Sequence, residues 1–152
     1  MDALKSAIAA FALLSIAPLA RADVIADWNT IALNTVTASG KYRAYEESSV
    51  MAMVNIAMSE TINFNEAKRP SRFLATPRTP LGVSNESAAA SAAHSILVRL
   101  HPEQKASLDA ALRRSLALEP DKTKRESGRV MGTSLGLNIY AILSSDSGAR
   151  ID

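Results

Sequence analysis

The residues most suggestive of chemistry lie near the end of the chain. There "RVMGTSLGLNIY" contains Gly132-Thr133-Ser134-Leu135-Gly136. This is G-x-S-x-G, the pattern of a serine nucleophile elbow, in which a strand, a strained turn and a helix lift a serine hydroxyl above a sheet. In α/β-hydrolases an acid and then a histidine must follow that serine. The chain has two histidines, His94 and His101, and both precede Ser134. The stretch before the motif, "KTKRESGRVM", is polar and helically spaced rather than strand-like. Ser134 is therefore expected inside a helix and not as a nucleophile. An esterase reading would need Ser134→Ala to abolish turnover of an activated ester.

Other reactive constellations are sparse. His94 and His101 are seven residues apart, which can place both on one side of a helix. They form no i, i+4 pair and no H-E-x-x-H. The expectation is a hydrogen-bonded packing residue at His94 and a helix-end residue at His101. The chain has no cysteine, which excludes disulfides, zinc-thiolate sites and thiol nucleophiles. Asn85-Glu86-Ser87 has the form of a glycosylation sequon. The basic run "AKRPSR", residues 67–72, reads as a solvated loop, with phosphate binding as the alternative. Neither a P-loop nor a dinucleotide fingerprint is present. No catalytic, cofactor-binding or metal-binding residue is assigned from these patterns.

The start, "MDALKSAIAAFALLSIAPLARADV", has Lys5 before an apolar run, and then Ala20-Arg21-Ala22 as a small-x-small site. It reads as a signal peptide over residues 1–22, too short to span a bilayer comfortably, and implies a secreted or periplasmic protein. Removing it takes away Lys5, Arg21 and Asp2, so the formal net charge falls from +2 to +1. With 5% aromatics and interspersed charges, no nucleic-acid partner is expected.

The elements that must position these residues are helices. Leu, Met and Ala dominate the apolar set, which favours helix over strand. The first helix starts at Asp23, with Val24, Trp28, Ile31 and Thr35 at helical spacing, Ile25, Ala32 and Val36 beside them, and Gly40 as its stop. The second runs from about Glu46 to Asn63 on Val50, Met53, Val54, Ala57 and Met58. A Pro-containing loop over 64–84 follows. The third has Asn85 as its N-cap, and its alanine-rich first half would let another helix approach closely. His101-Pro102 ends it, and Pro102 opens the fourth helix on Leu108, Ala111, Leu112 and Leu116. Asp109 and Arg113 are placed to pair one turn apart. The last helix is capped by Asp121 or by a Thr123–Glu126 capping box. Met131, Leu135, Asn138 and Ile142 form one stripe, with Val130, Ser134, Leu137 and Ala141 beside it. Gly128, Gly132 and Gly136 recur every fourth residue and form a groove for a close helix. The fold class is all-α: a helical domain over 23–143 and a polar tail over 144–152.

Read together, "ADVIADWNTIAL", "MAMVNIAMSETIN" and the segment from Ser87 to Ala117 resemble the N-terminal helical half of vanadium-dependent haloperoxidase-like proteins, in the type 2 phosphatidic acid phosphatase superfamily. The resemblance rests on Asp27-Trp28-Asn29, Asn63, His94 and Pro102, and covers nearly all of residues 23–152. Asn55 stands where many relatives have His, and Glu60 where many have Asp. In that family vanadate or phosphate is held by the second half of a longer chain, through K-x6-R-P, P-S-G-H and S-R-x3-G-x-H. Here Arg69-Pro70 is present, Ile62 occupies the lysine position, and no P-S-G-H follows. The resemblance thus implies an exported, partial helical bundle that is inactive alone and exposes apolar faces. It would self-associate or join a separate polypeptide carrying the catalytic motifs. The alternative is a periplasmic helical binding or interaction module with its own closed core.

Overall fold

Five α-helices follow one another, α1 (Val24–Ser39), α2 (Ala44–Asn65), α3 (Asn85–Leu100), α4 (Lys105–Ala117) and α5 (Lys122–Asp146), with a 3₁₀ turn at Pro102–Gln104. They are seen in a computed structural model that describes residues 23–66 and 82–146. The described part of the chain is all-α, as its composition predicts. The signal-peptide stretch, the basic run 67–72 and the end of the polar tail lie outside the described residues.

The helix ends follow their local chemistry. Asp23 caps α1, its carboxylate accepting from the amides of Ile25 at 3.1 Å and Ala26 at 3.4 Å. Gly40 stops α1 in the left-handed region at φ 61°, which favours glycine. The start of α2 is fixed by Glu46, whose carboxylate accepts from the Arg43 amide at 2.6 Å. This helix is longer at both ends than its apolar stripe suggested. Ser84, not Asn85, is the N-cap of α3; its hydroxyl accepts from the Ser87 amide at 3.2 Å. Either residue type can cap, and Asn85 is instead used to tie the end of α2. Asp121 caps α5 through the amides of Thr123 and Lys124. The expected Thr123–Glu126 box does not form, because Glu126 turns to Arg129. α5 continues to Asp146, into what was expected as tail.

The third helix is the axis of the fold, with α1, α2, α4 and α5 all packed on it. Ala88, Ala89, Ala90, Ala92 and Ala93 are fully buried, together with Ser87 and Ser91. Side chains this small supply little apolar area, and their contribution is proximity. The area comes from Trp28, Met58, Ile96, Leu97 and Leu108, all nearly or fully buried. Each of these is worth about 1.5–3 kcal/mol on burial. α4 runs back antiparallel to α3 after the Pro102 turn. α5 lies parallel to α3, since Gly128, Gly132 and Gly136 meet successively later positions of it: Ser84–Ala88, Ala88, and Ala92–Ser95.

That contact is where the glycine spacing and the alanine-rich helix meet. A Cβ added at Gly128 would lie 2.7 Å from the Ser84 carbonyl oxygen, and one at Gly132 would lie 2.8 Å from the Ala88 Cα. At Gly136 it would lie 2.6 Å from the Ala92 carbonyl oxygen. The obstacles include backbone atoms at all three positions, so no rotamer change relieves them. The small residues on each helix are there because of the other helix.

Candidate functional site

Ser134 sits in the middle of α5, exposed, with helix on both sides. The strand, the strained turn and a following histidine that an elbow needs are lacking around it, so GTSLG is not a serine elbow. Its two glycines are half of the α3 contact.

The histidines serve different joints. His94, on α3, places Nε2 2.8 Å from Asp109 Oδ1 on α4 and meets the Trp28 ring edge-on at 6.3 Å between centroids. Asp109 also pairs with Lys105, one turn earlier, at 2.5 Å. The expected Asp109–Arg113 pair gives way to these two partners. The Lys105 ammonium first, and then His94, hold the Asp109 carboxyl below its ordinary range. Trp28 donates its indole N–H to Ser115 Oγ at 3.0 Å, so α1, α3 and α4 are joined at one point.

His101 ends α3 and is fully buried. Its Nε2 lies 3.4 Å from the Tyr42 hydroxyl, and Tyr42 packs edge-on against its ring. Its Nδ1 is 3.6 Å from Glu103 Oε1, too long for a hydrogen bond, and has no partner among the described residues. Lys41 completes the set with an ion pair to Glu103 at 3.0 Å. Burial pushes the His101 imidazole below its ordinary pKa, against the opposing pull of Glu103. Burial, and then Glu103, raise the Tyr42 phenol. The two histidines therefore do not converge on a common ligand, and no His/Cys/Asp/Glu cluster suited to a metal occurs among the described residues.

The remaining sequence features have local uses. The sequon is built into the α2–α3 junction: Asn85 Nδ2 donates to Glu66 Oε1 at 2.8 Å, and Ser87 is fully buried. Asn55 Nδ2 donates to the Met51 carbonyl on its own helix at 2.9 Å. Asn29 Oδ1 and Glu60 Oε2 are buried without a hydrogen-bond partner among the described residues.

The feature that sequence reading left unassigned is the outer face of α5. Its buried stripe is Met131, Leu135 and Ile139, flanked by the glycines. Asn138 and Ile142, expected on that stripe, are exposed. On the opposite side, Val130 is 55% and Leu137 41% exposed, with Ser134 and Ala141 between and beyond them. No charged residue occurs from Val130 through Ser145. This charge-free run was the available signal. An open groove of about 470 Å³ runs along the flank of α5 from this outer face to the buried stripe, lined by Glu126, Ser127, Val130, Met131, Ser134 and Leu135. No helix among the described residues is long and apolar enough to cross a membrane.

No family model, curated protein or solved structure matches the chain.

Proposed function

We propose that this protein acts by association and not by catalysis, as an exported helical module whose working surface is the outer face of α5. The observation that carries the reading is the absence of charge from Val130 to Ser145, on a helix with one face buried against α3 and the other open. Val130, Leu137 and Ile142 are exposed there with no charged residue between them, whereas the outer side of a solvent-facing helix is normally charged and polar. The remaining polar clusters support the same reading, since His94 and His101 are engaged in holding helices together.

The resemblance to the N-terminal half of haloperoxidase-like proteins is one form of this proposal. In that form the α5 face is the seam to a catalytic half, which supplies the vanadate or phosphate site. A closed interaction module is the other form. Both predict that the purified protein, with or without added vanadate, oxidises no halide and hydrolyses no phosphomonoester. Turnover of either substrate above a buffer control overturns the proposal. Recovery of activity on mixing with a polypeptide bearing K-x6-R-P and P-S-G-H decides for the first form.

A further inference from the structure

The outer face of α5 has a shape as well as a composition. Four of the groove residues, Ser127, Val130, Met131 and Ser134, stand at i, i+3, i+4 and i+7. Four residues in that arrangement surround the hole that receives one side chain from a facing helix. The same exposed face carries a side chain of the right kind, Leu137, one turn beyond the hole.

Charge at the helix ends gives the direction. The first turn of α5 has no acidic residue and holds Lys122, Lys124 and Arg125; the last turn has no basic residue. Asp121 caps the first turn, but the three basic side chains there outnumber it, and no basic residue offsets the carbonyls of the last turn. An antiparallel neighbour of the same sequence would set each basic start beside the other's carbonyl-rich end. Seating Leu137 of a second copy in the hole fixes the register. Ser134 then lies opposite its own counterpart, Ser127 opposite Ala141, and Lys122 level with Asp146 of the other copy. One two-fold axis fills both holes and compensates both pairs of ends, as a closed symmetric interface requires. Ser134 on the axis is small enough for two helices to approach to about 8 Å.

We infer that α5 is a self-association surface, pairing antiparallel with α5 of a second copy about an axis at Ser134. This rests on the association reading above and names its partner. The seam is one helix wide, so its area is at the low end for specific interfaces, on the order of 1,200 Å² or less, which favours micromolar over nanomolar affinity.

Sedimentation of the purified protein across the micromolar range should show a reversible monomer–dimer equilibrium. Leu137→Asp should weaken dimerisation by at least about tenfold while leaving the helical circular dichroism unchanged, since residue 137 is on the face away from α3. The chain has no cysteine, so single cysteines report proximity cleanly. Ser134→Cys should form a disulfide-linked dimer on mild oxidation. Ser127→Cys should not link to itself but should link to Ala141→Cys in a mixture. Self-linking by Ser127→Cys would mean a parallel pair and overturn the proposal. A protein that stays monomeric overturns it too, and a second assay then separates the causes. If the monomer binds an apolar dye, a lipid vesicle or a separate polypeptide in a manner abolished by Leu137→Asp, the association reading stands with another occupant. If Leu137→Asp changes nothing, both readings fail.

Discussion

Two buried polar residues hold joints of this fold, and each makes a measurable demand. Trp28 is fully buried, and its indole N–H has Ser115 Oγ as its acceptor. Ser115→Ala strands that donor and should lower stability by about 1–3 kcal/mol in a urea melt. Trp28→Phe in the Ser115→Ala background should then add less than it does alone, because the stranded group is gone. His101 makes a pH-dependent demand. Its folded pKa is below the ordinary value because the ring is buried. As pH falls through the ordinary imidazole range, the unfolded chain takes up a proton that the folded chain does not, so stability falls until the folded pKa is reached. The thermal midpoint should therefore decline with acidification in the imidazole range, and His101→Gln should flatten that decline. An unchanged slope in the variant would remove His101 as its source. Asp109 loses its stabilisation at lower pH, in the carboxylate range, so the two contributions separate. The roles of both histidines were legible in the sequence as packing and helix-end residues. Their partners were not, because Asp109 and Tyr42 come from other elements.

At the scale of elements, legibility followed polarity contrast. α1, α2 and α4 have a polar side, so their apolar stripes point inward: Val24, Trp28 and Thr35, the five residues of α2, and Leu108 and Ala111 are buried, while Ile31, Leu112 and Leu116 are half-buried. In α5 no position from Val130 to Ser145 is charged, so no polarity contrast sets a stripe through Asn138 and Ile142 apart from the buried one through Ile139. The glycine spacing was the better guide to the buried side, and its counterpart was the alanine run of α3. Gly132→Ala tests that contact. It gains about 1 kcal/mol of helix propensity, yet its methyl group would meet the Ala88 backbone. Overpacking against backbone, at the upper end of about 1–3 kcal/mol, should win, with a net loss of about 2 kcal/mol. Gly40→Ala offers a contrast, because an added Cβ there meets nothing within 4 Å while φ is 61°. It should lose only about 1 kcal/mol, from backbone strain alone. Equal losses at the two sites would mean that the α3–α5 approach is looser than these distances indicate.

At the scale of the molecule, the other four helices pack on one small-residue axis, α3, and its Ala88–Ala92 side is covered by α5. α5 is also the last of the described helices along the chain. Until it has been made, the Ala88–Ala92 side of α3 has no cover, and α1, α2 and α4 can only be assembled around an open seam. Cotranslational folding is therefore expected to stall at a four-helix intermediate and finish in one late step. A ribosome-stalled chain ending near Pro120 should be cleaved readily by protease within α3. One carrying α5 clear of the exit tunnel should resist.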